Sequence, residues 1–308
     1  MRHRLEYLLV LASAYLARFL PTSACRKVLQ NIGLVFYFLS RRYRRVALEN
    51  LKRIHPGSDR LKERQRIAKA SFRNLGRMLS DILSLSYLSG KEIEALVDLE
   101  GWEHLEKAIR RGKGVLLFSA HFGNWEIVPL LQGYRGYTVH IISRPLDNPY
   151  LEKYLNRVRS RSGNLVIPKQ GAIRKCIWPI RKGGTVAIVI DQKVRWDQGV
   201  SVDFLGKPAA TTRTLARLAM RYRCAVVPVF SIPLASGRFR VKYEPEVPLP
   251  PDTGSEEDRV RQLTQQCTRV IEKYVRKYPE FWFWMHRRWH RSMPEPVDGM
   301  ATTARVDG

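Results

Sequence analysis

The sequence predicts an α/β fold: a mostly parallel central sheet flanked by helices, preceded by N-terminal apolar and basic membrane-associated helices. Three observations predict it. From about residue 95 onward, short uninterrupted apolar runs alternate with stretches of helical length. Before that point two apolar stretches follow one another closely. A strongly basic segment comes directly after them. At 308 residues the chain can bury a substantial core, and a hydrophobic content of 44% excludes wholesale disorder.

Taken in order, Leu8 to Leu20 is apolar except for Arg18, and Val28 to Leu39 forms a second apolar stretch. Each is shorter than the roughly 20 residues that cross a bilayer. Two short helices lying in one leaflet are therefore expected, with a spanning anchor as second choice and buried core helices as the third reading. The basic start followed by an apolar segment has the outline of a secretory signal. However, the chain stays apolar and then turns basic instead of opening into a secreted domain. Arg41 to Asn74 carries twelve Lys or Arg against three acidic residues. Val46, Leu48, Leu51 and Ile54 mark one amphipathic helix there, and Leu61 to Leu83 a second. Such helices suit an anionic membrane surface, or simply a solvated charged face.

"GVLLFSA" (Gly114 to Ala120) is a short continuous apolar run, as in a strand covered on both faces. "YTVHIISR", "NLVIPK", "GTVAIVIDQ" and "CAVVPVFSI" repeat the pattern, with helical segments between them at Asn148 to Arg161, Ala172 to Lys182 and Thr212 to Tyr222. "RFRVKYEPEV" reads as a further strand at an edge of the sheet, and Glu256 to Lys277 as a long helix. The organisation is thus apolar helices over 1–40, a basic helical region over 41–94, the α/β domain over 95–295 and a disordered tail over 296–308. No internal repeat and no glycine-rich phosphate loop of the G-x-G-x-x-G or G-x-x-x-x-G-K-[ST] type is present.

With 54 Lys or Arg against 28 Asp or Glu, the formal charge is +26. A field of that sign favours polyanionic partners: nucleic acid, an anionic membrane face or an acidic protein. Cys25, Cys176, Cys224 and Cys267 are far apart, which argues against a zinc knuckle or a disulfide framework and for a reducing compartment.

The chemistry concentrates in "SAHFGNWE", where His121 follows a buried strand and Glu126 comes five residues later. Ligand chemistry in open α/β sheets gathers at the carboxyl ends of strands. Five residues of ideal helix turn through about 500°, so the two side chains meet only if His121 stays outside the following helix. Gly123 would give that turn its latitude. A carboxylate on one imidazole nitrogen would fix the tautomer and leave the other free to take a proton from a hydroxyl. Backbone N–H groups at the helix start could hold developing negative charge. No serine nucleophile is signalled: G-x-S-x-G is absent, and Ser119 points to the other face from Ala120. H-x-x-x-x-E also lacks the spacing that sets two metal ligands on one helix face, so no metal is expected. On pattern alone, a catalytic pair and the polar rim of a folded core remain equal readings.

"HFGNWE" at the end of a buried strand resembles the signature of membrane acyltransferases acting on lipids. The chain more closely resembles the lipid A late acyltransferases, the lauroyl/myristoyl-transferase family. The resemblance runs through "RRVALENL", "SAHFGNWE", "SRPLDNP", "RVRSRSG", Asp191-Gln192, "VDFLGKPAATTR" and "PEFWFWMHRRW", over about residues 5 to 295. It implies an enzyme at the cytoplasmic face of the inner membrane that moves a fatty acyl group from acyl carrier protein to a lipid hydroxyl. No cofactor and no acyl-enzyme are implied. His121 would be the general base and Glu126 its orienting partner. Arg144 and Arg159 would contact acceptor phosphate or position the site, and Asp191, Gln192 and Asn124 would line it. Trp284, His286, Arg287 and Arg288 suit a membrane or lipid contact. The segment after Gln192, "KVRWDQGV", departs from the family pattern and leaves the acceptor open: an anionic glycolipid such as a lipid A precursor, or a phosphatidylinositol mannoside acylated from acyl-CoA. A basic nucleic-acid-binding protein is the alternative from another class, and it leaves the apolar N-terminus unexplained.

Overall fold

The structure is a computed structural model that describes residues 2–16 and 18–289. Four helices come first: α1 (Arg2–Leu16), α2 (Thr22–Leu39), α3 (Arg41–Ile54) and α4 (Leu61–Leu85). The short α5 (Gly90–Ala95), closed by a Ser89–Glu92 capping box, leads into β1 (Val97–Glu100) and α6 (Trp102–Arg110). Strands and helices then alternate through β2 (Val115–Ser119), α7 (Ile127–Tyr134), β3 (Val139–Ser143), α8 (Pro149–Ser160), β4 (Leu165–Pro168), α9 (Ala172–Arg181) and β5 (Thr185–Val189). A hairpin of β6 (Gly199–Phe204) and β7 (Lys207–Thr212) precedes α10 (Thr214–Tyr222), β8 (Ala225–Pro233), β9 (Phe239–Tyr243) and α11 (Glu256–Lys277).

The seven-stranded sheet has the order β1-β9-β8-β2-β5-β3-β4. Five neighbouring strands run parallel, while β9 is antiparallel to β8 and carries β1 parallel to itself. Two sequence expectations change here. The "RFRVKYEPEV" segment is β9, and it lies inside the sheet rather than at an edge; the four-residue β1 holds that edge. The hairpin β6–β7 is absent from the sequence reading, although Val200, Val202 and Phe204 alternate with polar residues. Its turn puts Leu205 at φ 57° and Gly206 at φ 78°, as a two-residue hairpin turn requires, and Gly206 N–H bonds Asp203 Oδ1 at 3.0 Å.

Two apolar clusters sandwich the sheet. One gathers Phe118, Phe122, Phe230 and Ile271 and also takes in Ala47, Leu51, Ile67 and Phe72, so α3 and α4 share a core with the strands. The other packs α6 and α7 on Leu117, Val227 and Val241. Helices α2 and α4 meet backbone to backbone: a Cβ on Gly33 would lie 2.2 Å from Phe72 O, and one on Gly76 2.0 Å from Leu29 O. Two arginines tie this helical pair together and fasten it to the β8–β9 turn. Arg26 and Arg77 both approach the buried Asp81, at 3.4 and 3.7 Å, and donate to Gly237 O and Leu234 O.

Among the described residues no helix is long and apolar enough to cross a membrane. The outer face of α2 nevertheless shows Val28, Ile32, Val35 and Leu39, between 53% and 75% exposed, in a row at helical spacing. The tail expected over 296–308 lies outside the described residues.

Candidate active site

Strands β2 and β5 are parallel neighbours with Ser119 opposite Val189. The chain two residues past each strand end therefore emerges side by side, and those residues are His121 and Asp191. His121 Nδ1 lies 2.8 Å from Asp191 Oδ1, and His121 N–H donates to Oδ2 at 3.0 Å. Trp282 Nε1 donates to the same Oδ2 at 2.8 Å. The carboxylate is buried and burial would push its pKa up, but the imidazole and these hydrogen bonds outweigh that and hold it below its ordinary value. An ionised Asp191 keeps the imidazole proton on Nδ1 and leaves the Nε2 lone pair facing outward. Gln192 Nε2 sits 3.2 Å from that atom, and the imidazole retains 19% exposure in a narrow cleft beside Trp125 and Phe283.

The turn expected at Gly123 is present. Its φ is +59°, and a Cβ there would lie 1.9 Å from Ser231 O. Gly123 N–H reaches Phe281 O at 2.9 Å and Phe283 N–H reaches His121 O at 3.0 Å, so the segment 281–283 braces the loop that carries the histidine.

Among the described residues no hydrogen bond joins Glu126 to His121, so the expected pair is not brought together. It stands at the start of α7 and is taken up by Arg159 of α8 in a two-pronged contact, Nε to Oε2 at 2.8 Å and Nη2 to Oε1 at 2.5 Å. Trp125 Nε1 adds a third bond at 3.1 Å. The reason is directional: the α7 start turns its side chain toward α8, while the His121 ring faces the β5 end. Arg159 also donates to Ser143 Oγ at 2.8 Å, which ties α8 to the end of β3. Beside this pair an apolar cavity of about 70 Å³ runs under α7, lined by Leu117, Val139, Ile141, Ala187 and Val189. Ser119 also lines it, and among the described residues its buried hydroxyl has no hydrogen-bond partner. Asn124 is fully buried and accepts from Glu126 N–H at 3.1 Å. Burial pushes Asp81 up to about 6, against the pull of Arg77 and Arg26. Arg144 is exposed beyond the end of β3.

The C-terminal residues divide. Trp284 and Arg288 are not at a surface: both are buried, with Trp284 Nε1 on Pro279 O at 2.7 Å and Arg288 on Ala210 O at 2.5 Å and on Thr211 Oγ1. Arg288 locks this segment onto β7, while Trp284 closes the segment on its own backbone, so both satisfy backbone acceptors away from water. His286 is half-buried and its Nε2 accepts Lys193 N–H at 2.9 Å. Burial lowers its pKa to about 4, so it stays a neutral acceptor. Arg287 alone of the four is exposed. Sequence reasoning missed Trp282 and the Arg26–Arg77–Asp81 group: Arg77 and Asp81 are four apart on α4 and could have been paired by spacing, but the bonds from Trp282 to Asp191, from Arg26 to Asp81 and from both arginines to the β8–β9 turn span long stretches of chain with no local pattern.

The family model for bacterial lipid A biosynthesis acyltransferases matches residues 1–291. The chain belongs to that family. As an acyltransferase of this family, it is similar to the lipid A biosynthesis acyltransferase of Haemophilus influenzae, at 24% identity over 88% of this chain and 83% of that protein. It is also similar to the lipid A biosynthesis palmitoleoyltransferase of Escherichia coli, at 26% identity over 82% and 79% of the two chains. A crystal structure of the 1-acyl-sn-glycerophosphate acyltransferase PlsC from Thermotoga maritima aligns with a TM-score of 0.37 at 16% identity, covering 83% of this chain and 99% of that one. The family supports transfer of an acyl group to lipid A or a related glycolipid.

Proposed function

We propose that this acyltransferase moves a fatty acyl group from acyl carrier protein to a hydroxyl of a lipid A precursor, at the cytoplasmic face of the inner membrane. His121 is the general base and Asp191 its orienting partner. The acceptor hydroxyl takes the place of the Gln192 amide at Nε2. Nε2 removes its proton as the oxygen attacks the thioester carbonyl, the C–S bond breaks, and the thiolate leaves with the proton from the imidazolium. An ester and a free thiol result, with no acyl-enzyme. Glu126 and Arg159 act as positioning residues that fix the α7–α8 wall of the apolar cavity, which receives part of the acyl chain. Arg144, exposed beyond β3, is left as an acceptor contact.

The observation that carries this reading is the outward-facing Nε2 of an imidazole whose Nδ1 lies 2.8 Å from a buried carboxylate at a parallel strand end. The strongly basic chain suits an acidic carrier and an anionic lipid. The exposed apolar row on α2, followed by the arginines of α3, suits a helix lying in one leaflet with its polar continuation among headgroups.

The test is acyl transfer by purified protein in phospholipid vesicles, with acyl carrier protein and acyl-CoA compared as donors and products read by lipid mass spectrometry. His121→Ala and Asp191→Asn proteins should each lose transfer. Parent-rate transfer by either variant overturns the assigned roles. An intact-protein mass raised by one acyl chain during turnover overturns direct transfer.

A further inference from the structure

Helix α3 presents Arg42, Arg45, Glu49 and Arg53 along one side, at spacings of three, four and four residues. Arg287 joins them across a concavity of about 270 Å³. The meeting is built, not incidental. The buried Asn50 amide donates to Trp284 O at 2.9 Å and to His286 O at 2.7 Å, which pins the segment carrying Arg287 against α3. Some surface arginines are matched with acids, such as Arg66 with Glu63, Arg135 with Glu94 and Arg240 with Glu100, while others of this basic chain stand singly; what sets this site apart is that four of them meet at one concavity. Here, among the described residues, Arg42, Arg45, Arg53 and Arg287 form no ion pair. Four guanidinium forks facing one concavity with a single carboxylate leave positive charge uncompensated, and their planar paired donors match a phosphate group.

Position narrows the source of that phosphate. The exposed apolar row of α2 ends at Leu39, and Arg42 opens the arginine row three residues later. If the apolar row sits in the acyl layer, the pocket sits at the height of the headgroups. The pocket is also joined to the candidate active site: the segment that supplies Arg287 supplies Trp282 to Asp191 and His286 to Lys193, next to Gln192.

We propose that Arg42, Arg45, Arg53 and Arg287 form a pocket for a phosphate monoester carried by the lipid acceptor, held there while the acceptor's hydroxyl is at His121. This rests on the acyl-transfer reading above. Asn50 is the positioning residue of the pocket, and Glu49 tempers its charge.

The experiment compares two acceptors, a lipid A precursor bearing its phosphate monoesters and the same lipid after enzymatic dephosphorylation. The proteins are the parent, Arg45→Gln/Arg53→Gln, and a control that loses Lys107 and Arg110 from α6. The pocket variant should raise KM for the phosphorylated acceptor about tenfold or more with kcat nearly unchanged, as expected for lost ground-state contacts to a charged group. KM for the dephosphorylated acceptor should be the same in all three proteins, and Glu49→Gln should lower KM for the phosphorylated one. Equal changes with both acceptors, or no change, overturn the pocket. If the parent protein acylates neither lipid, the acyl-transfer reading fails, and vesicle flotation then decides the pocket. In that case the parent should prefer phosphatidylcholine vesicles containing phosphatidic acid over ones with phosphatidylglycerol at matched charge, and the pocket variant should lose that preference. Equal binding overturns the proposal, as does thermal stabilisation by inorganic phosphate without any preference among the lipids.

Discussion

His121 and Glu126 are five positions apart, yet their surroundings are opposite. The imidazole keeps 19% of its side-chain surface open and faces Asp191, 70 residues away. The carboxylate is sealed with Arg159, the two side chains 6% and 9% exposed. One pair has a nitrogen held only by the displaceable amide of Gln192 and has access to solvent, and the other has neither. A group that exchanges protons with a substrate needs the first arrangement. The second, fully paired and buried, holds two helices in register and is costly to break from one side. Two ends of one short motif can thus serve chemistry and architecture separately.

The sharpest way to break this comparison is His121→Ala, expected to reduce transfer by roughly 10²- to 10⁴-fold. The same protein leaves the buried Asp191 carboxylate without its imidazole partner, so it should also lose about 1–3 kcal/mol of unfolding free energy. A loss as large as that of the next variant would mean that His121 belongs mainly to the architecture. Next comes Glu126→Gln, which leaves Arg159 buried without its charge partner and should cost about 3–5 kcal/mol of unfolding free energy. A double Glu126→Leu/Arg159→Met protein should recover much of that, measured by urea unfolding.

A third prediction uses pH. His286 is held neutral down to about 4, whereas in the unfolded chain it binds a proton near its ordinary 6.5. Between those values the unfolded state carries more protons, so this group makes stability rise with pH. Asp81 works the other way: its pKa, raised from 3.8 to about 6, makes stability fall as pH increases through that window. A His286→Gln protein should therefore show a shallower rise, or a steeper fall, of melting temperature from pH 4 to 6.5 than the parent. An unchanged slope would mean His286 is already solvated in the fold. The smallest effect is expected from Gln192→Ala. The residue occupies Nε2 only until the acceptor arrives, so kcat should change by less than about tenfold. A loss as large as that of His121→Ala would move Gln192 into the chemistry.

Much of this molecule is legible from local pattern. Residues 256–277 read as one long helix and form α11, and the apolar runs at 115–119, 185–189 and 225–233 are strands as their composition implies. The exposed stripe on α2 and the turn at Gly123 follow from spacing and from glycine's access to positive φ. The hairpin β6–β7 is only half legible: Val200, Val202 and Phe204 alternate with Ser201 and Asp203 as a strand should, but "KPAATT" is small and polar, the Leu205-Gly206 turn lacks the Asn-Gly or Asp-Gly signal, and the hairpin forms by packing on α11. Strand β9 looked like an edge because its outward positions carry Arg240 and Lys242, which the short β1 flanks without covering.

Side-chain periodicity, capping residues and charge are properties of neighbours a few positions apart, so the chain alone could determine the element types, the sheet class and the presence of a histidine at a strand end. Which carboxylate that histidine meets depends on strand order and register. β2 lies beside β5 with Ser119 opposite Val189, and that alignment, not the distance along "HFGNWE", selects Asp191. The same holds for Arg159 on Glu126 and for Arg287 beside α3: each meeting joins segments with whole strands and helices between them, and only the packed fold chooses among the many partners that 82 charged side chains allow (54 basic and 28 acidic).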